Sequence, residues 1–193
     1  MKTLSDFEHY SFQDNGRAPT NILDEYSGYT TSEVRGIRDE TVSGLVNVAM
    51  NLTGDFNKAS ILRAHCAFSG SELFLVGKRR FDKRGTVGTH HYIDVYHSET
   101  CEPVIEHLKS QGYTLFAVDN TPKFNPSPVY EVDLPVKSAF FYGEEQAGLS
   151  DEIVEMCDHA VYIPQPSPVP RSINVAQAAA VMMSEYTRRH YNS

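Results

Sequence analysis

The sequence predicts an α/β domain built on a mostly parallel sheet with helices on both faces. Three observations carry this expectation. Short apolar runs such as LVNVAM, ELFLV and SAFFY recur along the chain, each about as long as a strand buried on both sides. Segments with helical spacing separate most of them, the pattern of strand–helix–strand units. The 193 residues contain no internal repeat, which suits one sizeable domain.

The elements follow in order. Residues 1–40 are expected to form an N-terminal arm and a short helix, and residues 41–193 the main domain. Residues 1–30 have no clear period and are rich in Asp, Asn, Gly and Tyr, so they read as an irregular lead-in. TTSEVRGIRDE (30–40) has the Thr/Ser-then-Glu opening of a capped helix. LVNVAM (45–50) is a strand, and NKASILRAHCAF (57–68) is a helix with Ile61, Leu62, His65 and Phe68 along one side. ELFLV (72–76) is a strand; KRRFDKR and RGTVGTHHY then form a long loop, and YIDVY (92–96) returns to extended structure. CEPVIEHLKSQG (101–112) is a helix closed by Gly112, followed by the strand YTLFAV (113–118). Pro122, Pro126, Pro128 and Pro135 keep the next connection irregular. SAFFYG (138–143) is a strand, GLSDEIVEMC (148–157) a helix and HAVYIP (159–164) a strand. An alanine-rich helix runs from about Ser172 to Arg189.

Composition narrows the function classes. A 40% hydrophobic and 22% charged chain has an ordinary globular balance. No apolar run approaches the roughly 20 residues that span a bilayer, and MKTLSDFEHY lacks the apolar core of a signal peptide. Three cysteines, Cys66, Cys101 and Cys157, with no close pair argue against a disulfide framework and point to a reducing cytoplasm. No metal is expected: His90, His91 and His97 are close in sequence but lack ligand spacing. The net charge of -8 opposes nonspecific attraction to phosphate. Against this, residues 78–84 place Lys78, Arg79, Arg80, Lys83 and Arg84 around one acid, Asp82, with Phe81 available to stack on a base.

Ligands of such sheets bind at the carboxyl ends of strands, and three strand ends here are chemically unusual. After LVNVAM, Asn57 sits where a helix cap belongs, and Arg63 lies in an apolar stretch where a half-buried guanidinium needs an anion or a carboxylate such as Glu145. After SAFFY, Gly143 lets the backbone approach a ligand, Glu144 and Glu145 follow, and Gly148 opens a helix. After HAVY, prolines stiffen the loop, Ser172 is a cap, and Asn174 lies in the first helical turn.

Together these segments resemble the three sequence motifs of the TrmH/SpoU methyltransferases of the SPOUT superfamily, in the same order and at similar spacing over roughly residues 21–190. FNKASILRAHCAFSG is similar to the first motif, with Asn57 and Arg63. FFYGEEQAGLS is similar to the second, with Gly143, Glu145 and Gly148. IPQPSPVPRSINVAQAAA is similar to the third, with Ile163, Ser172, Ile173 and Asn174. It departs where Pro166, Ser167, Pro168 and Pro170 replace the usual glycine. The resemblance implies a C-terminal trefoil knot, a homodimer with active sites at its interface, and methyl transfer from S-adenosylmethionine to a ribose 2′-hydroxyl of tRNA or rRNA. It implies cofactor binding by Gly143, Ile163, Ser172 and Ile173, and catalysis by Asn57, Arg63, Glu145, Ser172 and Asn174. Arg63 is expected to bind a phosphate and stabilise the developing alkoxide, because a guanidinium holds its proton to a pKa above about 12. A general-base role for Glu145 is the rival mechanism. The alternative functions are a non-catalytic knotted RNA-binding or ribosome-assembly module, and a hydrolase using Ser172 with a histidine, which lacks the G-x-S-x-G elbow.

Overall fold

A computed structural model of the chain describes residues 2–10, 23–50, 52–168 and 172–191. Residues 11–22 of the lead-in and the third-motif positions Val169, Pro170 and Arg171 lie outside the described residues. Eight strands form one sheet: β1 (Glu8–His9), β2 (Leu45–Met50), β3 (Glu72–Val76), β4 (Asp94–Ser98), β5 (Thr114–Val118), β6 (Ser127–Pro128), β7 (Ser138–Tyr142) and β8 (His159–Tyr162). Their order is β1-β4-β3-β2-β7-β5-β8-β6. Only β1, on β4, runs antiparallel; the other pairs are parallel. The helices are α1 (Thr31–Asp39), α2 (Asp55–Ala67), α3 (Lys83–Thr86), α4 (Glu102–Ser110), α5 (Asp151–Met156) and α6 (Val175–His190).

Strand alternation divides the core. Leu45 and Ala49 of β2 join Ile61 and Leu62 of α2 and Ala179, Met182 and Met183 of α6 on one face. Val46 and Val48 join Val104, Ile105 and Leu108 of α4 and Ile153 and Val154 of α5 on the other. β2 is buried on both faces, which is why its apolar run is continuous. β7 comes late in the chain yet inserts between β2 and β5, so the loops after those three strands meet at one edge.

Several boundaries depart from expectation. The helix containing Asn57 begins earlier, with Gly54 as its cap. Asn174, not Ser172, caps α6, its Oδ1 accepting from Ala176 N at 2.8 Å. α5 starts after Ser150, since Gly148 has φ of +70° and is paired back to Glu144. The basic loop holds the short helix α3, capped by Asp82, and a 3-10 turn at Thr89–His91 that delays β4 to Asp94. Pro128 enters the edge strand β6, where a missing N–H costs no ladder bond to an outer neighbour. The capping box at Thr30 and Glu33 is present. Among the described residues no helix is long and apolar enough to cross a membrane.

One polar chain crosses the core. The Tyr142 hydroxyl donates to Asn47 Oδ1 at 2.9 Å, and Asn47 Nδ2 lies 2.9 Å from His65 Nδ1. Burial, with the nearby Arg38 charge, pushes the His65 pKa down to about 3 from 6.5. The folded imidazole therefore stays neutral where the unfolded one takes a proton. Its contribution to stability is complete above about pH 6.5 and is lost as pH falls from there towards 3. Thermal unfolding should show a midpoint that drops through this window, and His65→Gln should flatten that dependence; an equal slope in the variant would assign the acid sensitivity to other groups.

Candidate active site

The site begins with the carboxylate of Glu145, in the loop after β7. Its Oε2 accepts from Thr53 N at 3.1 Å and from Thr53 Oγ1 at 3.0 Å. Its Oε1 accepts from Gly54 N at 3.2 Å and from Asn57 Nδ2 at 2.6 Å. The carboxylate thus sits at the N-terminus of α2, where unpaired backbone N–H groups and the helix dipole favour an anion. Burial opposes its ionisation, but the hydrogen bonds from Asn57 and Thr53 outweigh burial and pull the pKa down to about 2. From Asn57 the chain of bonds continues: Asn174 Nδ2 donates to Asn57 Oδ1 at 3.0 Å. One residue from each of the three unusual strand ends is thereby joined.

Beside this tie lies a cleft of about 520 Å³. Its walls are the ends of β5, β7 and β8 and the segment leading into α6. Gly143, Ile163, Ser172 and Ile173 all line it, as do Glu145 and Asn174. Asp119 and Thr121, which the sequence did not single out, form a further wall. Asp119 Oδ1 accepts from Thr121 N at 2.8 Å, and its Oδ2 from Leu149 N at 3.4 Å, so Asp119 links the loops after β5 and β7. The only signal for it was a polar residue directly after an apolar strand. The cleft's size falls in the range of small-ligand sites, and its lining combines polar and charged side chains such as Asp119, Thr121 and Glu144 with apolar ones such as Val118 and Ile163, which suits a ligand with both polar and apolar parts.

Gly143 also has a reason within its own loop. A Cβ there would stand 2.1 Å from Gly148 C and 2.3 Å from Leu149 N, so glycine is required for the loop to close on itself. Glu144 and Gly148 complete that closure, with Glu144 N donating to Gly148 O at 3.1 Å and Gly148 N to Glu144 O at 2.8 Å.

Arg63 also departs from expectation. It is exposed, it does not meet Glu145, and among the described residues it forms no ion pair. Six residues of helix, about 600° of rotation, set it on a different face from Asn57. It does not line the cleft.

The basic segment is ordered and exposed. Lys78, Arg79, Arg80, Lys83 and Arg84 all face solvent. Buried Lys58, which the sequence reading passed over inside α2, fastens the segment: its Nζ donates to Lys78 O at 3.0 Å and to Arg80 O at 2.5 Å. Acids temper the local charge. Arg79 pairs with Glu8 at 2.6 Å, Arg80 with Asp55 at 3.8 Å and Arg84 with Asp82 at 2.7 Å. Phe81 is only 8% exposed and packs in the core beside Tyr10, so it is no stacking platform. Among the described residues no group of three or more His, Cys, Asp or Glu is arranged to hold a metal.

Residues 44–184 match the sequence profile of the SpoU rRNA methylase family. A protein of Synechocystis sp., provisionally named tRNA (cytidine(34)-2′-O)-methyltransferase, is 30% identical over 141 residues, covering 69% of this chain and 88% of its own length. The crystal structure of the A. aeolicus TrmH/SpoU tRNA modifying enzyme superposes with a TM-score of 0.73 at 22% identity, covering 82% of this chain and 83% of its own. The AdoMet-bound rRNA methyltransferase from Sinorhizobium meliloti gives 0.69 at 25% identity, covering 78% of this chain; the chain spans 58% of that protein.

The Asn57–Glu145 bond should be measurable as coupling. Hydrogen bonds to ionised groups are worth roughly 1.5–3 kcal/mol, so a double-mutant cycle of Asn57→Ala and Glu145→Gln in urea unfolding should give about 1–2 kcal/mol of interaction. Strict additivity would mean that the tie contributes nothing to the fold.

Proposed function

The chain belongs to the SpoU rRNA methylase family, and on that premise we propose that it transfers a methyl group from S-adenosylmethionine to the 2′-hydroxyl of a ribose in tRNA or rRNA. The observation that carries this reading is the bonded chain Glu145–Asn57–Asn174 at the edge of the cleft, which unites residues of all three motifs. A module that only bound RNA would have no need to hold these groups together beside a ligand-sized cavity.

The cofactor would lie in the cleft against the loops at Gly143, Ile163, Ser172 and Ile173, and it supplies a methyl group on a positively charged sulfur that departs with the bonding pair. The protein's share is position and electrostatics. Ser172 and Asn174, both exposed at the mouth, orient the ribose. Asn57 is held by Glu145 on one side and donated to by Asn174 on the other, so the amides present a fixed pattern to the substrate. As the 2′-oxygen bonds to carbon, its hydroxyl proton leaves to water. Glu145 is a poor acceptor for that proton, because its carboxylate is saturated with donors and its pKa is near 2. It acts instead by positioning. Arg63 supplies positive charge to a neighbouring phosphate and to the developing alkoxide. Its exposed place outside the cleft fits a homodimer with active sites at the subunit interface, which the resemblance implies together with the trefoil knot; in such a dimer each Arg63 would serve the site of the other copy. RNA is captured through Lys78, Arg79, Arg80, Lys83 and Arg84.

Transfer of tritiated methyl groups to bulk RNA tests the activity. Arg63→Ala should cut turnover at least about a hundredfold while S-adenosylmethionine affinity on calorimetry stays nearly unchanged, the pattern of a group acting in the transition state. Because Arg63 is exposed, the variant should fold; a turnover equal to the parent's would remove Arg63 from the mechanism.

The capture surface is tested separately. Arg80→Glu with Arg84→Glu should weaken RNA binding and flatten its dependence on salt, since fewer counterions are released. Equal binding across several salt concentrations would place the RNA elsewhere.

A further inference from the structure

We propose that Phe56 is a stacking platform for an unpaired base of the RNA, next to the ribose that is methylated. The inference rests on the RNA methyltransferase reading and adds a contact to it. An aromatic ring in water at the first turn of a helix is a costly use of a large apolar side chain unless something covers it. Phe56 is 62% exposed although Ala59, Ile61 and Leu62 of the same helix are buried in the core.

Its neighbours say what covers it. On one side is Asn57, whose amide is bonded to Glu145 and Asn174. On the other is α3 of the basic segment: a Cβ added at Gly85 would stand 3.6 Å from Phe56 Cε1, so the ring edge lies against the α3 backbone. Arg84, 87% exposed along its side chain, precedes Gly85 in that helix. Arg80, 91% exposed, pairs with Asp55, the residue before Phe56. An exposed ring set between phosphate-binding cations and a polar catalytic edge matches the chemistry of single-stranded nucleic acid, which offers a π-face and a negative backbone together. The basic surroundings favour this occupant over an apolar peptide. Because every base has a π-face, the ring would add affinity with little base preference, and it supplies the aromatic contact that buried Phe81 cannot make.

The sequence contains no tryptophan, so Phe56→Trp makes a single fluorescent probe at the site. In the full-length chain, titration with a single-stranded oligouridylate or oligoadenylate should quench that fluorescence saturably. Phe56→Ala should raise KM for bulk RNA roughly tenfold, and Phe56→Tyr should restore it, with kcat and cofactor affinity changing less than about twofold. Absence of quenching, or a KM for Phe56→Ala within about twofold of the parent's, overturns the stacking role. So does a fall of Phe56→Ala to half the parent's mass in light scattering, which would assign the ring to an interface between copies. If the parent itself transfers no methyl group but the tryptophan is quenched by RNA, the methyltransferase reading fails and the base platform stands.

Discussion

The carboxylate of Glu145 reaches from the loop after β7 to the backbone of Thr53 and Gly54 and to the amide of Asn57, and through Asn57 to Asn174 at the start of α6. Three connections that leave different strands are held together by this one anion. It remains ionised far below neutral pH because it is surrounded by donors, one of them at a helix N-terminus, where partial positive charge collects. The same bonds that hold it ionised make it unsuited to take a proton. An arrangement that looks acidic in sequence is thus mechanical in the fold: it fixes the polar edge of the cleft.

That tie is possible because β7 lies between β2 and β5. Parallel strands all present their carboxyl ends to one side, so inserting a late strand beside an early one brings distant loops into contact there. The cleft forms where these ends meet the entry of α6. Its backbone-rich walls explain the glycine demand at Gly143, where no side chain fits beside Gly148 and Leu149. The buried chain Tyr142–Asn47–His65 runs beneath the same region and couples β7, β2 and α2 through the core. Rigidity under the site is thereby built from hydrogen-bonded polar groups as well as packing.

On the proposed reading, the basic segment is where an acidic protein would meet RNA. Its cations are presented on a turn fastened from below by Lys58, and three of them, Arg79, Arg80 and Arg84, are close to an acid that lowers the unspecific pull. Phosphate can compete with exposed carboxylates for these guanidinium groups, since surface pairs are weak. Affinity would then depend on contacts that also satisfy the site, with nonspecific adhesion kept low.

Local pattern determined much of this protein. Burial on both faces of a strand writes a continuous apolar run, so β2, β3, β5, β7 and β8 were legible within a residue or two, as were α1 and α4. Asn57, Glu145 and Asn174 could be selected as motif residues, and Gly143, Ile163, Ser172 and Ile173 as neighbours of one cleft. What the sequence could not decide was set by contacts between distant residues, 88 apart for Asn57 and Glu145 and 117 apart for Asn174 and Asn57. Only the fold decided that Gly54 and Asn174 would be the caps, because Asn57 was needed elsewhere. Only the fold turned Arg63 outward and Phe81 inward, left Phe56 in water, and brought Asp119 to the cleft. A helix's period says which residues share a face, and the packing of the other elements determines which face is covered.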